Sequence, residues 1–549
     1  MRVAGIARVV PPVAATLSFS LAGATVADAA PTTVAPTTVA TTTSTTTPVA
    51  LPSWSVYHGD PAGTGATTSI TAVDTAHRQW TSPVLDGQLY GQPLVASGVV
   101  FVATEANTVY ALSATTGAVV WSKTVGQPVP AGSLPCGDIA PTVGITGTPV
   151  IDPARGELFV VADEMTGGHS VHVLVGLDTA TGAVELTENV DPNGSNPLAL
   201  LQRTGLTLDD GRVVFGFGGN YGDCSTYHGW VVSVGEGGGS PSSFEVDAGP
   251  GQRQGAIWMG GAAPAVDGGG DVWVSSGNGS VTSAGGAYDN SDAVLELSPT
   301  LQLLQFFAPT TWSSDNARDL DLSMEPILLP DGQVAIAGKS RAVYLLDGAH
   351  LGGIGGQQAE LSSACNDDID GGSAQVGTTL FLPCLSGITA VDVGASPPSL
   401  RLAWSSSSGG GPPIAAAGLV WTLGQDGTLY GLDPATGAVR QHASVGSPAN
   451  HFPTPALGAG LLLATSATQV VAFATTSATS PGSPTTSTTA PPHVAAALPH
   501  HPGTPASGFP PAAVAGIVVG ALLLAAGSTR ALYRRRRSVG ETAAGPGPT

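Results

Sequence analysis

One phrase recurs along this chain and limits the folds open to it more than any other feature. Val109 to Trp121 reads VYALSATTGAVVW, Val173 to Val184 reads VLVGLDTATGAV, and Leu429 to Arg440 reads LYGLDPATGAVR, each after a Gly or Pro turn and a β-branched run. Such a unit is a small antiparallel sheet that cannot bury its faces alone, and stacking like units around an axis gives a β-propeller. Charged residues make up only 10% of the chain, and Gly, Ala, Val, Ser and Thr dominate. That suits short strands and tight turns, and very little helix is expected in the folded domain.

The pattern divides into eight blades, beginning with Gly91–Val125, Gly147–Val190, Gly205–Val246 and Gly261–Phe307. Glu325–Leu361, Gly372–Trp404 and Pro412–Val445 follow, and the last copy runs from Phe452 only to Phe473, one strand short. Ala76 to Trp80 (AHRQW) reads as an outer strand with no sheet of its own. It is the expected donor of the missing strand, because closing a ring with a terminal strand removes its weakest edge. A seven-bladed ring stays open if the third or fourth unit is incomplete.

The flanks differ in character. Arg2 and Arg8, an apolar stretch through Leu17 and Leu21, and Ala27-Asp28-Ala29 mark residues 1–29 as a signal peptide. Residues 30–53 are a Pro/Thr-rich linker, residues 54–474 the propeller, and residues 475–508 a Pro/Ser/Thr-rich stalk. Such spacers bury too little apolar surface to offset chain entropy. Residues 509–529 are apolar and uncharged, approaching the ~20 residues a membrane helix needs. The basic tail, residues 530–549 with Arg530 and Arg534 to Arg537, then stays cytoplasmic. The expected layout is a single-pass protein of the cell membrane with its propeller outside.

Net charge is -21, and the arginine run lies beyond the folded part, so nothing supplies the basic stripe that nucleic acid requires. G-x-S-x-G, H-E-x-x-H and Walker phrases are all missing from the sequence. Four cysteines in a secreted chain imply two disulfides, which can pair in three ways. Cys365 with Cys384 closes the short loop, leaving Cys136 with Cys224. The chain has two lysines, Lys123 and Lys339.

At the repeated phrase the chain resembles the pyrroloquinoline-quinone (PQQ) repeat propellers, which include quinoprotein alcohol dehydrogenases and non-enzymatic scaffolds. Ala111, Ser113, Thr116, Gly117 and Trp121 follow the family's A-x-D-x-x-T-G-x-x-x-W docking motif with Ser for Asp. Asp178, Thr181 and Gly182, and Asp433, Thr436 and Gly437, keep its centre but place Leu186 and Gln441 at the Trp position. The opening Trp54 to Gly65 (WSVYHGDPAGTG) is also similar to the start of such proteins.

For a quinoprotein dehydrogenase the resemblance implies PQQ in the central funnel, a calcium ion that polarises its carbonyl, and a carboxylate base. Asn278, in VSSGNG, matches the calcium asparagine, and Asp289, in Tyr288-Asp289-Asn290, the catalytic aspartate and calcium ligand. Asp223, in GNYGDC, stands near the acidic calcium ligand, and Lys339 matches the cation beside the quinone. Each has a plainer role open to it: a turn residue at Asn278, a strand end at Asp289, a solvated strand-end cation at Lys339. The family's adjacent cysteine pair is replaced by Cys136-Gly137-Asp138, so the platform under the quinone is lost.

Asn366-Asp367-Asp368-Ile369-Asp370 opens like an EF-hand, but Gly377 occupies the position that needs a bidentate Glu. Asp315, Arg318, Asp319 and Asp321 read as salt bridges and turn hydrogen bonds at a blade rim. The expectation is a membrane-anchored binding or scaffolding propeller that meets a protein, glycan or small ligand over its funnel face. The alternative is a PQQ- and calcium-dependent dehydrogenase of alcohols or sugars.

Overall fold

The computed structural model describes residues 53–477. They form an all-β propeller of eight antiparallel blades, built on four strands each. The signal peptide, nearly all of the linker and stalk, the apolar segment 509–529 and the basic tail lie outside the described residues. Among the described residues no helix is long and apolar enough to cross a membrane. Helix is confined there to one short α-helix, Trp312–Asn316, and four 3-10 turns.

Blade 1 shows why these sequences make blades. Its strands are Leu94–Ala96, Val99–Ala103, Thr108–Ser113 and Val119–Thr124, counted from the axis outward. The inner strands are buried on both faces by neighbouring blades and are almost wholly apolar, whereas the outer strand is largely exposed and polar. Phe101 pairs with Ala111 and Ala111 with Trp121, so the family phrase fixes the register of the outer half. Blades 2 to 7 start at Val150, Thr207, Ala265, Ile327, Ala374 and Ile414.

Blade 8 consists of Ala456–Gly458, Leu461–Thr465 and Val470–Ser477, with Ile70–Thr81 as its outer strand. The first folded residues thus complete the last sheet, as the missing strand required, and the donated strand is longer than AHRQW alone suggests. Trp80 then docks on blade 1, its Nε1 donating to Ala114 O at 2.7 Å. Trp121 makes the same bond to Thr179 O of blade 2 at 3.0 Å, and Trp404 to Pro434 O of blade 7 at 2.9 Å. Each indole lies on the glycine of the next turn: a Cβ on Gly117, Gly182 or Gly437 would come within 2.4 to 2.6 Å of the ring, and all three have positive φ.

The departures from the Trp pattern have a geometric cause. Blade 8 takes its outer strand from the N-terminus and has no Thr-Gly turn for a blade 7 tryptophan to cover. Gln441 instead accepts a hydrogen bond from Thr75 Oγ1 at 3.0 Å. Leu186 faces Gly238, in a glycine-rich turn of blade 3 that lacks the phrase.

The segment from Trp54 to Thr67 fills the axis. Trp54 exchanges backbone bonds with Val95, and Ser55 and Pro61 carbonyls accept from Ile151 and Val266. The Thr64 carbonyl accepts from Gln375 N, while Thr67 N donates to Ala415 O and Gly65 O accepts from Ala415 N. These partners belong to the innermost strands of blades 1, 2, 4, 6 and 7, whose inner edges would otherwise be unpaired. The family-like opening phrase is therefore an axial plug. His58 lies within it, fully buried and stacked on Tyr57 at 4.2 Å. Its Nδ1 donates to Ser373 O at 3.0 Å, and burial lowers its pKa to about 3.

Candidate functional site

The loops joining the second and third strands of each blade lie on one face of the ring, with the approaches to the innermost strands. Gly277–Gly279 follows the blade 4 strand Val272–Ser276, and the Lys339 turn follows the blade 5 strand Gln333–Ala337. Asp319 and Asp321 lie on the approach to blade 5. A Cβ on Gly277 would stand 2.5 Å from Asp321 Oδ1, so glycine is what lets the carboxylate reach the loop backbone.

Asn278, Asp319, Asp321 and Lys339 meet here. Asn278 donates from its backbone N to Asp321 Oδ1 at 2.6 Å and from Nδ2 to Asp319 Oδ1 at 2.7 Å. Lys339 Nζ lies 2.5 Å from Asp321 Oδ2, 3.5 Å from Asp319 Oδ2 and 6.0 Å from the Trp258 ring centroid. Burial works to lower the lysine pKa, but the two aspartates outweigh it and raise it above the ordinary value. The ammonium is charged and engaged. Burial of Asp370 nearby raises its pKa to about 6.

The other expected residues divide. Asp223 sits in the loop after blade 3 strand Arg212–Gly219, accepting from Tyr227 Oη at 2.7 Å. Burial raises its pKa, with Asp321 and Asp319 adding to the shift and Lys339 opposing it. Asp289 lies against the back of the Asn278 loop, where Ser291 and Val281 N hydrogen-bond to its two oxygens. It makes no hydrogen bond or ion pair with Lys339. Asn278 does not have positive φ, so it is not serving as a turn residue of that kind.

The salt bridges expected of Asp315, Arg318, Asp319 and Asp321 form, Asp315 with Arg318 at 2.7 Å and Asp319 and Asp321 with Lys339. What the sequence did not show is that the partners of Asp319 and Asp321 are Lys339 and Asn278, which other loops supply. The disulfides are Cys136–Cys224 and Cys365–Cys384. The first ties the loop between blades 1 and 2 to the loop of Asp223.

Arg203, on the approach to blade 3, stacks over Phe452 at 4.5 Å and Tyr90 at 5.9 Å. It is 6% exposed, and its Nη2 has no hydrogen-bond partner. Glu105, whose Oε2 accepts from Gly144 N at 2.6 Å, has its pKa raised to about 7 by burial. Lys339 also lines a cleft of about 400 Å³, together with Arg318, Arg341, Tyr344, Glu360 and Asp368 among others.

Residues 66–349, more than half of the chain, match the family model described as outer membrane protein assembly factor BamB. The chain belongs to the PQQ-like β-propeller family. Solved structures with the same fold include the quinohemoprotein alcohol dehydrogenase of Comamonas testosteroni, at TM-score 0.59 and 15% identity over 77% of this chain and 80% of that one. A europium-containing methanol dehydrogenase gives 0.58 and 15%, covering 77% of this chain and 98% of its own. BamB from Moraxella catarrhalis gives 0.50 and 14%, covering 72% and 99%. No curated protein sequence matches the chain.

Calcium takes six to eight oxygen ligands, and Asn278 Oδ1 is a buried oxygen without a partner. Yet Asp321, which faces that loop, is already neutralised by the Lys339 ammonium, and Asp289 is bonded behind it. Of the other two ligands that the resemblance implies, Asp223 accepts from Tyr227 Oη, and Asp289 accepts at both oxygens from Val281 N and Ser291. The residues present therefore do not fit the calcium–quinone pair that the resemblance implies.

Proposed function

We propose that this PQQ-like propeller is a membrane-anchored, extracytoplasmic binding or scaffolding module, and that the funnel face and the Lys339 cleft receive a protein, glycan or small polar ligand. The observation that carries this reading is the Lys339–Asp321 contact at 2.5 Å. A dehydrogenase needs a free cation at the quinone oxygens and a free carboxylate for the alcohol proton. Here each satisfies the other.

Support for the location comes from the signal-peptide pattern, the apolar segment 509–529 followed by arginines, and two disulfides of the kind oxidising compartments maintain. That one family holds both dehydrogenases and an assembly factor accords with fold and chemistry being separable.

The test is reconstitution of the purified chain with PQQ and calcium, followed by dye reduction with alcohols and sugars. No turnover above a no-substrate control is expected. Turnover that Asp321→Asn or Asp289→Asn abolishes would overturn the binding-module reading.

A further inference from the structure

Blade 3 carries a second constellation, distinct from the Lys339 cluster. Its loop 220–229 holds His228 next to the strand Trp230–Gly235, and its outer strand Ser242–Glu245 ends opposite, where Trp230 pairs with Glu245. Val246 N then donates to Gly229 O at 3.0 Å, which turns Asp247 inward. These pairings bring His228 Nδ1 to 3.1 Å from Glu245 Oε1 and 3.0 Å from Asp247 Oδ1.

A zinc ion bonded to nitrogen and oxygen at about 2.1 Å in a tetrahedron holds its ligand atoms about 3.4 Å apart. The two spacings from the histidine are close to that edge, and all three ligand atoms lie within 4.8 Å of one another. Asp247 supplies an independent sign: it is fully buried, its side chain hydrogen-bonds only to His228, and its Oδ2 has no partner. A carboxylate enclosed in this way is stabilised by a cation. One imidazole with two carboxylates suits zinc better than calcium, which favours all-oxygen shells.

The other acidic group of this kind, Asp267, Asp271 and Glu296, lacks this sign. Asp267 already accepts from Gly269 N, Asp271 N and Trp273 Nε1.

We propose that His228 Nδ1, Glu245 and Asp247 bind one zinc ion, with water completing the tetrahedron on the side where His228 and Glu245 are partly exposed. The ion clamps the loop that carries Asp223 and Cys224 to the outer strand of blade 3. Because Asn290 Nδ2 of blade 4 donates to Val246 O at 2.9 Å, the clamp also holds the blade 3–blade 4 seam on this face of the ring.

The test uses the full chain with His500→Ala and His501→Ala, so that this histidine pair of the stalk sequence does not add to the count. Equilibrium dialysis with zinc chloride is expected to give one zinc per chain. His228→Ala and Glu245→Gln should each weaken binding by about 100-fold. Cobalt should give the intense visible bands of a tetrahedral site, lost in both variants. Glu245 is partly exposed, so its variant tests the site even if His228→Ala does not fold. Absence of stoichiometric zinc at about millimolar concentration, or binding and cobalt bands unchanged in both variants, would overturn the proposal.

Discussion

The two sides of the ring are built differently. Blades 7, 8, 1 and 2 share one continuous hydrophobic core that includes Trp54, Phe101, Trp421 and Phe473, whereas the cores between blades 3 and 6 are separate clusters. The middle strands of blades 1, 7 and 8 are joined by short turns, as from Ala103 to Thr108 and from Leu423 to Thr428. In blades 3 and 4 the same connection runs from Gly219 to Trp230 and from Ser276 to Ala293. The regular side closes the ring and the long-loop side carries the charge. Both sides bury apolar cores, and the second adds the Lys339 ion pairs, the Cys365–Cys384 disulfide and a parallel pairing of Gly353–Ile354 with Phe307–Ala308.

The largest effect tests the plug that both sides share. His58 is buried with its pKa lowered to about 3, so its contribution is complete above pH 6.5 and is lost as pH falls from there toward 3. The folded protein then refuses a proton that the unfolded chain accepts. Chemical denaturation of the native chain and of His58→Gln should diverge in pH slope, with a total on the order of 4 kcal/mol. Parallel slopes would show that the plug does not bury this imidazole.

Next comes the closing seam. Trp80→Ala removes a buried indole and its bond to Ala114 O, and should cost about 3 kcal/mol in urea unfolding. An effect no larger than that of an exposed substitution would mean that ring closure does not depend on docking.

On the charged side, Asp321→Asn leaves the Lys339 ammonium without its nearest counter-ion. Lys339 is 22% exposed, so the expected cost is about 2 kcal/mol, less than for a fully buried pair. Lys339→Met added to it should recover part of that loss. No recovery would break the link between the two residues.

The smallest effect is expected at Gln441→Ala, which removes one half-exposed bond to Thr75 and should cost about 0.5 kcal/mol. A cost equal to that of Trp80→Ala would erase the distinction between docked and undocked seams.

Much of the ring was legible because its information is local. The phrase around Gly117, Gly182 and Gly437 states both a turn and a strand register, and the truncated copy ending at Phe473 announced that its partner must come from elsewhere. The site was legible only in part. Asn278 and Lys339, singled out for their types and positions, do meet through Asp319 and Asp321, whereas Asp223 is bonded to Tyr227 and Asp289 lies behind the loop.

His228, Glu245 and Asp247 give no motif, since seventeen positions separate the histidine from the glutamate. Strand pairing alone makes them neighbours. The sequence by itself determined the repeat and the borrowed outer strand, because each follows from residues close together or from an unpaired edge that must be satisfied. Only the tertiary structure decided which carboxylate meets Lys339, what fills the axis, and where the histidine of blade 3 points. Those depend on distances between separate blades, which no local pattern encodes.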